Sequence, residues 1–155
     1  MMVTPRAMLF GYGWADTAVH EYTHYLVSIR TRNRAPVWLQ EGLAKLYETR
    51  WRRDPPPPLE AGRAELLHEA IVNDELVTLD QMHPSIAMLP SQEMAALAYV
   101  EVETMLTMLW EEGGDAAIGD LMDRVARGER SKDAFASAWA TASGQSGGFD
   151  AFFEA

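Results

Sequence analysis

Apolar residues recur at helical spacing through most of this chain, and the pattern predicts a mainly α-helical fold. Between positions 94 and 109 the apolar side chains leave little polar face, which predicts a central, well-buried helix. Strand-like alternation is scarce, so we expect at most one or two short strands near the N-terminus. The predicted helices are six, and they cover about 17–31, 37–50, 60–73, 91–112, 116–127 and 132–141.

Caps and breaks set the predicted boundaries of these helices. Asp16 and Ser91 are residues of the type that caps the N-terminus of a helix, here the first and the fourth. Asn33 can take a left-handed conformation after the first helix, and Gly113-Gly114 should stop the fourth. Pro55 to Pro58 excludes regular helix and predicts an extended connector.

The organisation is that of a single domain over residues 1–155. We expect a pair of helices at 15–50, a connector and a helix at 51–90, and a C-terminal helical part at 91–155. Residues 1–14 form either a remnant strand or a loop. The apolar stretch at 149–155 should dock back onto the rest of the fold.

Charge and composition narrow the possible partners. The net charge is −10, which argues against nucleic acid because phosphate binding needs a basic surface. No apolar run approaches the roughly 20 residues of a membrane span, and no signal-peptide pattern opens the sequence. We therefore expect a cytoplasmic protein if the chain is complete, and an exported one is the alternative if it is part of a longer chain. Cysteine is absent, which excludes disulfides and thiolate metal ligands.

The motif that carries most chemical information is H-E-x-x-H, from His20 to His24. On a helix, residues four apart lie on the same face, so the two imidazoles can bind one zinc ion. Glu21 projects about a quarter-turn away, where it can reach a water molecule beside the metal rather than the metal itself. The alternative is a chance match, with two polar residues on an amphipathic helix.

Catalytic zinc takes three protein ligands, and Glu41 is the candidate for the third. Pro36 is well placed to begin a helix in which Glu41 lies off the apolar stripe, on the face shared with Lys45 and Glu48. Gly42 beside it would allow close helix packing. Glu48 either accepts a hydrogen bond from a ligand histidine or is a solvated charge, and Glu41 could likewise be an exposed helix charge.

Together these residues resemble the gluzincin metallopeptidases. H-E-x-x-H is followed 17 positions later by Glu41 in W-L-Q-E-G-L-A, which is similar to bacterial peptidase-MA-like domains and, more distantly, to aminopeptidases with W-L-N-E-G-F-A. The resemblance implies a zincin-like helical catalytic core that hydrolyses peptide or protein substrates. It implies zinc bound by His20, His24 and Glu41, with Glu21 as general base.

The resemblance extends to Tyr99 and departs at the N-terminus. The segment 97–101 is similar to one in which a tyrosine stabilises the tetrahedral intermediate, so Tyr99 is either that group or a core aromatic. Relatives usually carry a β-sheet upstream of the H-E-x-x-H helix. Only fourteen residues precede Ala15, so we expect that subdomain to be absent, with 8–13 as its last strand or as a loop.

Three functions stay open at this point. The first is a zinc peptidase. The second is a non-catalytic, zinc-stabilised helical binding domain derived from such a peptidase. The third is an acidic helical interaction module that binds no metal.

Overall fold

The computed structural model describes residues 13–52 and 58–145, and these residues form helices without any β-strand among them. The mainly α-helical prediction is therefore confirmed. The predicted strand at 8–13, apart from Gly13, and the predicted docking tail at 149–155 lie outside the described residues. The five α-helices are α1 Trp14–Arg30, α2 Val37–Tyr47, α3 Ala61–Asn73, α4 Gln92–Ala126 and α5 Ser131–Ser143, with a short 3-10 helix at Ile86–Met88.

The first helix begins earlier than the sequence predicts. Gly13 occupies the N-cap position, and Asp16 lies in the first turn, where a negative charge favours the helix dipole. The Asp16 carboxylate is not a cap because it accepts hydrogen bonds from Trp51 Nε1 at 2.8 Å and Arg52 Nε at 3.0 Å. For the fourth helix the predicted cap is confirmed, since Ser91 Oγ accepts from the Met94 N–H at 3.1 Å.

Gly113-Gly114 kinks the fourth helix instead of ending it. Gly114 has φ 62° and ψ −157°, a conformation that residues with a Cβ rarely adopt, and helical geometry resumes directly afterwards. The predicted fifth helix at 116–127 is therefore the second arm of α4. Close packing against α5 accompanies the bend, because a Cβ on Gly113 would come within 2.8 Å of Ala142 Cβ.

The long helix α4 is the centre of the fold, as its apolar sequence predicts. It packs against α2, α3 and α5, and it contributes much of the buried core. Gly42 lets α2 approach closely, because a Cβ at this position would lie 2.9 Å from the Val102 carbonyl oxygen. Leu39 and Leu43 on α2 are completely buried in the core that α2 shares with α4, which fixes the rotation of α2 and thereby the direction in which Glu41 projects.

A polar cluster fastens the end of α2 to the kink of α4. Asp115 Oδ1 accepts hydrogen bonds from Tyr47 Oη at 2.8 Å, Arg50 Nη1 at 3.0 Å and Trp110 Nε1 at 3.0 Å. The Arg50 guanidinium also lies 4.3 Å from the centroid of the Trp110 ring. These contacts hold the C-terminal turn of α2, which is where Glu48 is found.

No helix among the described residues combines the length and the apolar character that crossing a bilayer requires.

Glu101 is a buried carboxyl on α4 that makes the stability of the fold depend on pH. It is 8% exposed, and its Oε1 accepts a hydrogen bond from the Val77 N–H at 2.8 Å. Burial raises the pKa of Glu101 from 4.5 to about 7, although the bond from Val77 opposes this. The folded state thus holds the proton more tightly than the unfolded state, and stability falls as pH rises from 4.5 through 7.

We expect Glu101→Gln to stabilise the protein at pH 8 by about 2 kcal/mol and to have little effect near pH 4.5. Glutamine retains an oxygen that can accept from Val77, and it carries no charge that must be buried. Urea unfolding at both pH values measures the difference. Glu65→Gln, at an exposed position on α3, is the control. A loss of stability at pH 8 in Glu101→Gln would contradict the assignment.

Candidate metal centre

The site is built by a hairpin of α1 and α2. Thr31 Oγ1 donates to the Val27 carbonyl at 2.7 Å and accepts from the Ala35 N–H at 3.3 Å, which ties the turn to the end of α1. Asn33 takes the predicted left-handed conformation with φ 57°. His20 lies near Glu48 and His24 near Glu41, so the two helices run in opposite directions.

His20, His24 and Glu41 converge as the sequence predicts. The two Nε2 atoms are 3.2 Å apart, Glu41 Oε2 is 3.6 Å from His20 Nε2, and Glu41 Oε1 is 3.8 Å from His24 Nε2. Two ligand atoms bonded to one zinc ion at about 2.05 Å with tetrahedral angles are about 3.4 Å apart. The observed separations match that spacing closely, so this group could hold a metal ion.

The electrostatics of the centre favour positive charge. The Glu41 carboxylate, followed by the hydrogen bond to Glu48, raises the pKa of His20 from 6.5 to about 9, against the opposing effect of burial. In the metal-free chain a proton supplies that charge, and a divalent cation would take its place. The side chains of His20, Glu41 and His24 are 18%, 21% and 23% exposed, so solvent reaches a site that protein surrounds on most sides.

Glu48 forms a hydrogen bond with a candidate ligand histidine, which is one of the two alternatives that the sequence allowed. Its Oε2 lies 3.1 Å from His20 Nδ1. An ionised carboxylate can only accept, so Nδ1 must carry the proton, and Nε2 is directed at the ligand cluster. Desolvation tends to raise the pKa of Glu48, but the bonds from His20 and Lys45 outweigh it and lower the pKa below its ordinary value. Glu48 is therefore not a merely solvated charge.

Glu21 and Tyr99 occupy different environments. Glu21 is exposed, and it makes no hydrogen bond or ion pair with any residue that the structure describes. Tyr99 is half-buried near the N-terminus of α4. Burial, and after it the Glu41 carboxylate, raises the pKa of Tyr99, which places this phenol within the electrostatic range of a candidate ligand. No hydrogen bond joins its hydroxyl to another residue within 13–52 or 58–145.

Lys45, which the sequence places on the same face of α2 as Glu41 and Glu48 but without a role, contacts the site. Its Nζ lies 3.1 Å from both carboxylate oxygens of Glu48. The i,i+3 spacing of Lys45 and Glu48 on α2 is a signal for such a pair, and it was present in the sequence. What the spacing alone does not tell is that Glu48 also faces His20.

Two cavities lie near the hairpin, and the larger one is not at the ligands. A mostly apolar cavity of about 590 Å³ is lined by α1 residues such as Tyr22, Leu26 and Ile29, but by none of the three candidate ligands. A smaller cavity of about 210 Å³ is lined by Lys45 and Glu48.

Comparisons of this chain with family models, with curated proteins and with solved structures find no match. The assignment of the site therefore depends on its own geometry and chemistry.

Proposed function

We propose that this protein is a zinc-dependent peptidase of the gluzincin type. The observation that carries the proposal is the convergence of two imidazoles and one carboxylate at the spacing of a three-ligand zinc site. Structural zinc sites are usually closed by four protein ligands. Among the described residues the cluster has three, which favours a centre with an open position.

Nitrogen and carboxylate donors suit zinc, and the site carries the negative charge that a divalent ion needs. His20, His24 and Glu41 would hold the ion, while Glu48 orients the His20 ring through Nδ1. A zinc ion there supplies Lewis acidity, which polarises a carbonyl oxygen and lowers the pKa of water to about 7.

Two further side chains, Glu21 and Tyr99, take part in the proposed hydrolysis. Glu21, exposed on α1 next to His20, removes a proton from the attacking water and passes it to the nitrogen of the leaving amine. Tyr99 donates a hydrogen bond to the oxygen on which negative charge develops. Its hydroxyl is available for this role, since no described residue binds it, and its raised pKa keeps the proton in place at neutral pH.

The alternative within the same site is a zinc-stabilised binding domain without catalysis. Such a domain would bind the same ion through the same ligands and would unfold more easily after chelation. A peptide-hydrolysis assay therefore distinguishes the peptidase from the binding domain, whereas the zinc content alone does not.

We expect protein purified from zinc-supplemented cells, without chelator, to contain about one equivalent of zinc by elemental mass spectrometry. It should cleave members of a mixed peptide library, detected by mass spectrometry. A chelator should stop cleavage, and added zinc should restore it. Zinc without cleavage would favour the binding domain, and less than about a tenth of an equivalent would exclude both metal-dependent functions.

A further inference from the structure

We infer that Lys45 is a positioning residue of the metal centre, which holds the Glu48 carboxylate in the orientation that aligns His20. The inference rests on the proposed function and extends it to a residue outside the three candidate metal ligands. Its basis is a continuous chain of short contacts from Lys45 through Glu48 to His20.

The contact between Lys45 and Glu48 differs from an ordinary surface ion pair. Nζ lies at the same distance, 3.1 Å, from Oε1 and from Oε2 of Glu48, so it restrains both oxygens. The two side chains are 28% and 23% exposed, which limits screening by solvent. Glu48 Oε2 in turn meets His20 Nδ1 at 3.1 Å. A rotation of the Glu48 carboxylate would therefore break contacts on both of its sides.

The use of lysine at this position is itself unusual for the chain. Of the 13 Lys and Arg residues, Lys45 and Lys132 alone are lysines. A compact ammonium can bind both oxygens of a carboxylate from one side while another donor takes one of them. Glu48 Oε2 has both of these neighbours at 3.1 Å, Lys45 Nζ and His20 Nδ1, so one carboxylate oxygen serves two donors.

If Lys45 positions Glu48, replacing it with a neutral residue should change the cation release rate in one direction. If Lys45 acts only through its charge, the change should be in the opposite direction. Lys45 is a cation near the centre, so loss of its charge alone would reduce repulsion and slow the release of a bound cation. Loss of positioning would free Glu48 to rotate, would let the His20 ring reorient, and would speed that release. The sign of the change in the dissociation rate thus distinguishes the two effects.

The test is zinc release from the zinc-loaded full chain into an excess of a chromogenic zinc chelator. We expect Lys45→Met to release zinc about 3- to 10-fold faster than the wild type. This effect is smaller than the 10- to 100-fold loss of metal affinity that is typical when a direct partner of a ligand is removed. Lys45→Arg, which keeps the charge and N–H donors but not the compact ammonium, should release zinc more slowly than Lys45→Met and faster than the wild type. Lys132→Met on α5 is the matched control and should leave the rate unchanged.

A second comparison shows whether the effect passes through Glu48. In a Glu48→Gln background, Lys45→Met should change the zinc release rate less than twofold, because the carboxylate that it restrains is gone. An unchanged or slower release in Lys45→Met, or an equal effect in both backgrounds, would overturn the inference. A wild-type chain that takes up no zinc would overturn the proposed function together with it, so the two failures are distinguishable.

Discussion

Replacing Glu21 with glutamine is expected to abolish hydrolysis while the metal stays bound. Glutamine has nearly the same shape as glutamate but cannot accept a proton from water at neutral pH. General-base catalysis contributes about 10²- to 10⁴-fold, so we expect kcat to fall by about 10³-fold. Because Glu21 is exposed and makes no hydrogen bond or ion pair with another described residue, the substitution should leave folding unchanged.

Peptide cleavage and zinc content are both measured on the same preparation of the Glu21→Gln variant. Glu21→Gln should keep about one equivalent of zinc, since the mechanism gives Glu21 no part in binding it. Glu65→Gln, an exposed carboxylate on α3, should retain full activity. Equal cleavage by Glu21→Gln and the wild type would exclude Glu21 as the base.

Replacing His20 with alanine is expected to remove both zinc and hydrolysis. The substitution deletes one of the three candidate ligands, and it also leaves Glu48 without its imidazole donor. Two ligands on a solvent-accessible helix pair cannot retain zinc through purification, so we expect less than about a tenth of an equivalent in the purified variant. Elemental analysis and the peptide assay report the two losses separately.

The control for His20→Ala is His68→Ala, because His68 is exposed on α3 and far along the chain from the cluster. It should keep the zinc and the activity of the wild type. A full equivalent of zinc in His20→Ala would show that the ion binds elsewhere, and it would remove the basis of the proposed mechanism.

Most of the candidate site could be predicted from the sequence because its geometry is local. The spacing of His20 and His24 fixes their common face on any helix. Pro36 and the apolar stripe of α2 set the rotation of that helix, and Gly42 indicates close packing. Glu41 and Glu48 lie two helical turns apart, so they project from the same face of α2. The structure places both carboxylates next to the histidines.

The interactions that the sequence did not predict depend on distant parts of the chain. Gly113-Gly114 has the composition of a helix stop, but packing against α5 at Ala142 keeps the second arm of α4 in place. Tyr99 could be placed on a helix, yet its electrostatic contact with Glu41 arises only when α2 docks on α4. The role of Asp16 was misjudged because its partners Trp51 and Arg52 are more than thirty residues away.

The hairpin confines the three candidate ligands, Glu48 and Lys45 to 29 consecutive residues, from His20 to Glu48. Contacts at such short sequence separation close small loops, so little chain entropy opposes their formation. During synthesis the ribosome releases this segment well before α4, whose apolar surface later buries Leu39 and Leu43. All the residues of the candidate centre are thus synthesised before the helix that completes the core around them.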